Sequence, residues 1–96
     1  MHLAALNSQL RRDLHAGKDV QGVVITQVDP GSVADEVGLS EGDILVAIDQ
    51  QPVKTPQEAA AKLKEAAAAP KKSVLLLLNR RGVTQYVGMN LGANQG

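Results

Sequence analysis

Ser8, Ser32, Ser40 and Ser73, the histidines His2 and His15, and ten carboxylates are the side chains that could make or break bonds. A serine hydrolase needs a nucleophile, a base to take its proton and an acid to orient the base. None of the serines sits in a Gly-x-Ser-x-Gly elbow. His2 lies at the terminus and His15 in a polar loop, without a partner at catalytic spacing, so both read as solvated surface residues. Asp29, Asp35, Glu36, Glu41, Asp43 and Asp49 do not follow the spacing of a calcium loop, and there is no cysteine for a thiolate zinc site. They read as capping, turn-making and solubilising residues. Gly31 and Gly42 lack a phosphate-cradle pattern and read as turns. The basic pairs Lys71-Lys72 and Arg80-Arg81 read as solvated hairpin ends. The expectation is a chain with no catalytic centre, no metal and no cofactor.

Composition narrows the partners. Ten basic residues balance ten acidic ones, so no long-range field gathers phosphate backbones or anionic membranes. Phe and Trp are absent and Tyr86 is the one aromatic, which leaves no stacking platform for single strands. The longest strongly apolar run, Val74 to Leu78, is strand-sized and far short of the roughly 20 residues that span a bilayer. Neither nucleic acid nor membrane insertion is expected. Met1-His2-Leu3 has no basic start and no cleavage pattern, so an export signal would lie upstream. With 96 residues the chain is one domain with an aliphatic core, over residues 1–91, and a frayed tail over 92–96.

These residues must be positioned by short elements. Leu3, Ala4, Ala5 and Leu6 form a short apolar stretch, an edge-strand stub. Asn7-Ser8 offers a cap, and Gln9 to Leu14 one or two helical turns, with Leu6, Leu10 and Leu14 on one face. His15 to Asp19 is a loop. Gly22 to Val28 is β-branched and strand-like, and Asp29-Pro30-Gly31 turns. Ser32 caps a short helix, Val33 to Val37, closed by Gly38 in a left-handed conformation. After a turn at Ser40-Glu41-Gly42-Asp43 comes a strand, Ile44 to Ile48, apolar throughout and therefore silent about which face is buried. Asp49 to Val53 turns as a tight hairpin.

Thr55-Pro56-Gln57-Glu58 is the clearest local signal: a cap, a proline at the first helical position and a capping-box glutamate. The helix that follows ends at Pro70. Its apolar residues are Ala59, Ala60, Ala61, Ala66 and Ala67, with Leu63 the one large side chain. Small residues allow close packing on a sheet, the general rule for apolar stripes. They also leave room for a guest side chain if the helix walls an open groove, and one helix can do both. Val74 to Leu78 and Thr84 to Leu91 form the last two strands, turned by Arg80-Arg81-Gly82. The order of elements predicts a small α+β barrel or sandwich capped by two helices.

Gly31-Ser32 followed by Ala34, then Gly38-Leu39, then Gly42-Asp43-Ile44 resembles the PDZ domains of HtrA/Deg-family (Do-like) serine proteases. Leu6-Asn7-Ser8-Gln9-Leu10-Arg11, Pro52-Val53, the capped helix from Thr55 and Arg80-Arg81-Gly82 extend the resemblance from Leu3 to about Leu91. The likeness is to the circularly permuted bacterial arrangement and to a C-terminal PDZ domain. It implies a partly open β-barrel or sandwich and a peptide-binding regulatory module of an endopeptidase, serving periplasmic protein quality control. The implied partners are extended hydrophobic segments or C-termini of client proteins, and the protease domain or neighbouring subunits. The resemblance implies strand addition between the first strand (Leu3, Ala4, Ala5, Leu6) and the long helix (Ala59, Ala60, Leu63, Ala66, Ala67). The family's glycine-containing carboxylate loop precedes that first strand. Here only Met1-His2 stand before Leu3, a departure that bears on carboxylate capture. The protease's Gly-Asn-Ser-Gly-Gly motif is not in the chain. Alternatives are a subunit-docking domain with little peptide binding, and a PDZ domain of a membrane metalloprotease or secretion component.

Overall fold

A computed structural model describes residues 2–17, 20–69 and 73–90. The expected stop at Pro70, the Lys71-Lys72 pair, part of the His15 to Asp19 loop, Leu91 and the 92–96 tail lie outside the described residues. Along the chain run β1 (His2–Ala5), α1 (Ser8–Asp13), β2 (Val23–Gln27), α2 (Val33–Glu36), β3 (Ile44–Ile48), β4 (Gln51–Pro52), α3 (Pro56–Ala68), β5 (Ser73–Arg80) and β6 (Val83–Asn90). The six strands make one antiparallel sheet in the order β1-β2-β3-β5-β6, with β4 paired to β3. The sheet does not close: β1 and β6 are its two ends.

Local chemistry explains most of the joints. Asn7 accepts the Leu10 N–H at 2.8 Å to start α1. Ser32 accepts the Asp35 N–H at 3.2 Å to start α2. Gly38, at φ +90°, ends α2 where a side chain would be strained. The β3–β4 turn places Asp49 and Gln50 at φ 51° and 67°, and the β5–β6 turn places Arg81 and Gly82 at 53° and 85°. Paired positive φ values mark the two-residue turns whose twist matches a hairpin.

Thr55 accepts the Glu58 N–H at 3.1 Å, which is the expected cap of α3. The Glu58 carboxylate returns to the Lys54 N–H at 3.1 Å, one residue before the cap residue's own N–H.

The core lies between α3 and one face of the sheet, built from Val23, Ile25, Leu45, Ile48, Val53, Ala59, Ala66, Val74, Leu76 and Leu78 with α2 and Met89 closing its far end. A bulge between Leu45 and Ala47 lets Leu45 and Ile48 face this core together. Ile44 and Ala47 are buried as well. The unbroken apolar run of β3 therefore reflects burial on both faces. Gly22, read as the start of a strand, precedes β2 and is a point of close approach. A Cβ there would lie 2.3 Å from the Leu45 carbonyl oxygen.

Candidate functional site

The edge strand β1 and the helix α3 flank one open side of the sheet and touch each other. The register shows which backbone groups β1 leaves free. The Ile25 N–H donates to the Asp43 carbonyl at 2.9 Å, and the Ile25 carbonyl accepts the Gly42 N–H at 2.8 Å. Ile25 is thus turned away from β1 and Val24 towards it. Leu3 lies opposite Ile25, Ala4 opposite Val24 and Ala5 opposite Val23. Antiparallel pairs alternate, so Ala4 bonds β2 while Leu3 and Ala5 aim N–H and C=O outward. A row of such groups is a template for another strand. A bulge between His2 and Leu3 limits the regular part of this edge to three residues.

Side chains follow the same alternation. Leu3 is half-buried and packs on the core below α3. Ala5 shares its face and is exposed, Ala4 is half-buried on the reverse face, and Leu6 is half-buried just past the strand. On α3, Ala59 and Ala66 are buried in the core, which sets how closely the helix approaches the sheet. Leu63 is half-buried between core and surface, and Ala60 and Ala67 are exposed. At helical spacing, Ala60, Leu63 and Ala67 form a strip beside the buried pair. The Lys62 ammonium, on another flank of the helix, donates to the Gln51 side chain of β4 and ties α3 to the hairpin.

The site carries no titratable cluster. Among the described residues no group of three or more His, Asp or Glu side chains could hold a metal. What holds the frame lies elsewhere. Asp43, 2% exposed, accepts from Arg80 Nε at 2.7 Å and Nη2 at 2.6 Å, and from the Ser40 N–H at 3.0 Å. Arg80 also donates to the Gly38 carbonyl at 2.9 Å. The hydrogen bonds to Asp43 raise the Arg80 pKa above its ordinary value, burial opposes them, and the carboxylate charge adds to the rise. This corrects the sequence reading: Arg80 is the partner of a buried carboxylate, and Asp43 is more than a turn residue. No sequence spacing pointed to it, because the two are 37 positions apart.

Two open pockets lie away from β1 and α3. One, about 720 Å³, opens over Leu14, His15, Glu41, Gly42, Arg80 and Arg81. The other, about 570 Å³, opens over Asp49, Leu75 and Gly88. Beside α3 stands instead the strand edge of β1. An edge suits an extended guest, whose backbone supplies the bonds and whose alternate side chains meet the helix.

Comparison with known proteins gives the family and the fold. The family model described as "PDZ domain" matches residues 24–80. A "Probable periplasmic serine endoprotease DegP-like" of Brucella suis biovar 1 (strain 1330) is 35% identical over 72 residues, covering 75% of this chain and 14% of the relative. A protein of the same description from Halomonas elongata is 37% identical over 70 residues, covering 73% of this chain and 14% of the relative. This chain therefore spans about one seventh of those relatives' length. Among solved structures, "HtrA-type protease AlgW with decapeptide" superposes with a TM-score of 0.77 at 22% identity, over 93% of this chain and 26% of that one. The "HtrA3 PDZ Domain Bound to a Phage-Derived Ligand (FGRWV)" superposes with a TM-score of 0.73 at 18% identity, over 94% of this chain and 79% of that one.

Proposed function

The chain belongs to the PDZ domain family, and from that premise we propose that it is the peptide-binding module of a periplasmic HtrA-type serine endoprotease, capturing extended client segments by strand addition at β1. A PDZ domain is a binding module and not a catalytic one, so hydrolysis falls to the rest of such a protein. The observation that carries the proposal is the outward aim of the Leu3 and Ala5 backbone groups at an edge flanked by α3. Their hydrogen bonds supply affinity that is blind to sequence, and selection falls to the side-chain surfaces on either side.

In this reading Leu3, Ala4, Ala5 and Leu6 form the docking strand and its exit. Ala60, Leu63 and Ala67 form the wall that a guest side chain meets. Ala59 and Ala66 act from behind, because their small volume sets the height of that wall. A mostly alanine wall leaves space, so bulky apolar guest side chains are favoured over small ones. The names of the relatives support a periplasmic setting, and two structural neighbours carry a peptide ligand in their titles.

The test is an NMR titration of the isotope-labelled chain with hydrophobic peptides, free and amidated at the C-terminus. Saturable shifts on Leu3 to Leu6 and on the Ala60, Leu63 and Ala67 strip are expected. Loss of those shifts on amidation identifies a C-terminal carboxylate as part of the ligand, and their persistence identifies internal segments. Absence of shifts at about 1 mM peptide, where even binding worth roughly 4 kcal/mol half-saturates the site, overturns the proposal and leaves subunit docking as the better account.

A further inference from the structure

The opposite end of the sheet is built differently. β6 runs eight residues from Val83 to Asn90, pairs with β5 along its whole length without a register shift, and among the described residues has no strand on its other side. Natural edge strands are blunted by charge, proline, bulges or brevity. The β6 sequence, Val-Thr-Gln-Tyr-Val-Gly-Met-Asn, contains no charged residue and no proline. Both of the exposed large hydrophobic residues in the described chain, Val83 at 64% and Tyr86 at 60%, lie on it. Tyr86 stands on the face of the sheet turned away from the core, beside half-buried Leu77. α2 meets β6 on the other side, where Val33, Val37 and Val87 pack on the core.

The free backbone groups of β6 follow from the hairpin. Arg80 and Val83 close its two-residue turn and exchange hydrogen bonds, so every second pair does the same. Leu75, opposite Gly88, exchanges its bonds with Asp49 on the far side. Thr84, Tyr86 and Gly88 therefore aim N–H and C=O at the open edge. Asn90 follows in the same alternation but is already engaged, and the three positions before it are symmetric about Tyr86.

We propose that β6 is a self-pairing edge, joining two copies of this chain by antiparallel β6–β6 addition about a two-fold axis at Tyr86. In that register Tyr86 lies opposite Tyr86 of the second copy, and Thr84 lies opposite Gly88 of the second copy. Each of these pairs exchanges both backbone bonds. The space where a Gly88 Cβ would stand is empty, so the tyrosine ring of the second copy lies diagonally over the glycine, a cross-strand contact within reach of an aromatic. A second copy suits this edge because no like charges meet in the pairing and the chain is neutral overall. The pairing engages one strand edge of each copy, where stable complexes bury roughly 1,200 Å² or more, so the association is weak and concentration-dependent. It is independent of the β1 groove, and either proposal can fail alone.

Crosslinking and dilution test it. The chain contains no native cysteine, so Tyr86→Cys introduces a single thiol. Opposed Cα atoms about 5.5 Å apart fall within the range that a disulfide bridges. Under mild oxidation Tyr86→Cys forms a dimer at least about tenfold faster than Gln57→Cys on the exposed side of α3. Diluting the unmodified chain shifts the amide signals of Thr84, Tyr86 and Gly88, and Tyr86→Lys, which sets two cations on the axis, abolishes those shifts while circular dichroism stays native. Equal crosslinking rates for the two cysteine variants, or dilution shifts that are absent or fall on β1 instead of β6, overturn the proposal.

Discussion

The two ends of one sheet offer the same backbone chemistry and differ in everything around it. β1 has four residues, a bulge at its start and a helix alongside, and its partner β2 is buried at Val23, Val24 and Ile25. β6 has eight residues, regular pairing and an outer face open to water at Thr84, Tyr86 and Gly88. Unpaired N–H and C=O groups attract strands at either end. A flanking helix turns such an edge into a groove that can choose among guests. A flat edge with no helix beside its outer face selects only by register and by what stands directly opposite. The uncharged β6 therefore suits its own copy, and the helix-flanked β1 suits a guest with apolar side chains.

The largest effect is expected where the two ends are joined. Asp43 stands just before β3, where its carbonyl holds Ile25 of β2, and Arg80 stands at the end of β5, so their pair fastens the β1–β2 half to the β5–β6 half. Arg80→Ala leaves a buried carboxylate without its cation and costs about 3 kcal/mol, read as a lower urea midpoint. Asp43→Ala costs less, because the Arg80 side chain is already 39% exposed and can turn to water. An equal loss from both variants contradicts this account of the pair.

Proline at each edge sharpens the comparison. Ala5 and Gly88 both aim their N–H groups outward, so Ala5→Pro and Gly88→Pro spare the ladder to the neighbouring strand. Ala5→Pro weakens peptide binding by about tenfold, the worth of one strand-addition bond, and leaves concentration-dependent association unchanged. Gly88→Pro does the reverse. A variant that loses both properties, measured by the same titration and dilution series, merges the two edges into one function.

The smallest effect concerns the helix wall. Thr55→Ala removes the acceptor of the Glu58 N–H and costs about 1 kcal/mol. Hydrogen exchange is expected to quicken first at the start of α3, with peptide affinity falling and β6 association untouched.

Much of this architecture is readable along the chain. The Asn7, Ser32 and Thr55 caps and the glycine at position 38 stand where expected, because each depends on φ preferences and hydrogen bonds within a few residues, while the two hairpin turns fall inside the expected stretches but tighten to Asp49-Gln50 and Arg81-Gly82, leaving Gln51–Pro52 and Arg80 in strands. The return arm of the α3 capping box is the instructive exception: it reaches Lys54, a choice of side-chain rotamer that residue types do not encode. The candidate groove was legible as a strand and an alanine-rich helix. Which alanines pack and which remain open was not, since the small apolar residues run nearly all round α3 and the stripe has no sharp edge.

By itself the sequence determined the elements other than β4, their caps, and a neutral chain whose aliphatic core leaves one aromatic, Tyr86, to be placed. Only the tertiary structure decided that Asp43 is buried against Arg80, that a bulge brings Leu45 and Ile48 to one face, and that Leu3, Ala5, Thr84, Tyr86 and Gly88 present free backbone groups at opposite ends of the sheet. The division is physical. Local elements are set by torsional preference and short-range bonds, whereas burial, strand order and free edges depend on contacts between distant segments that no local pattern records.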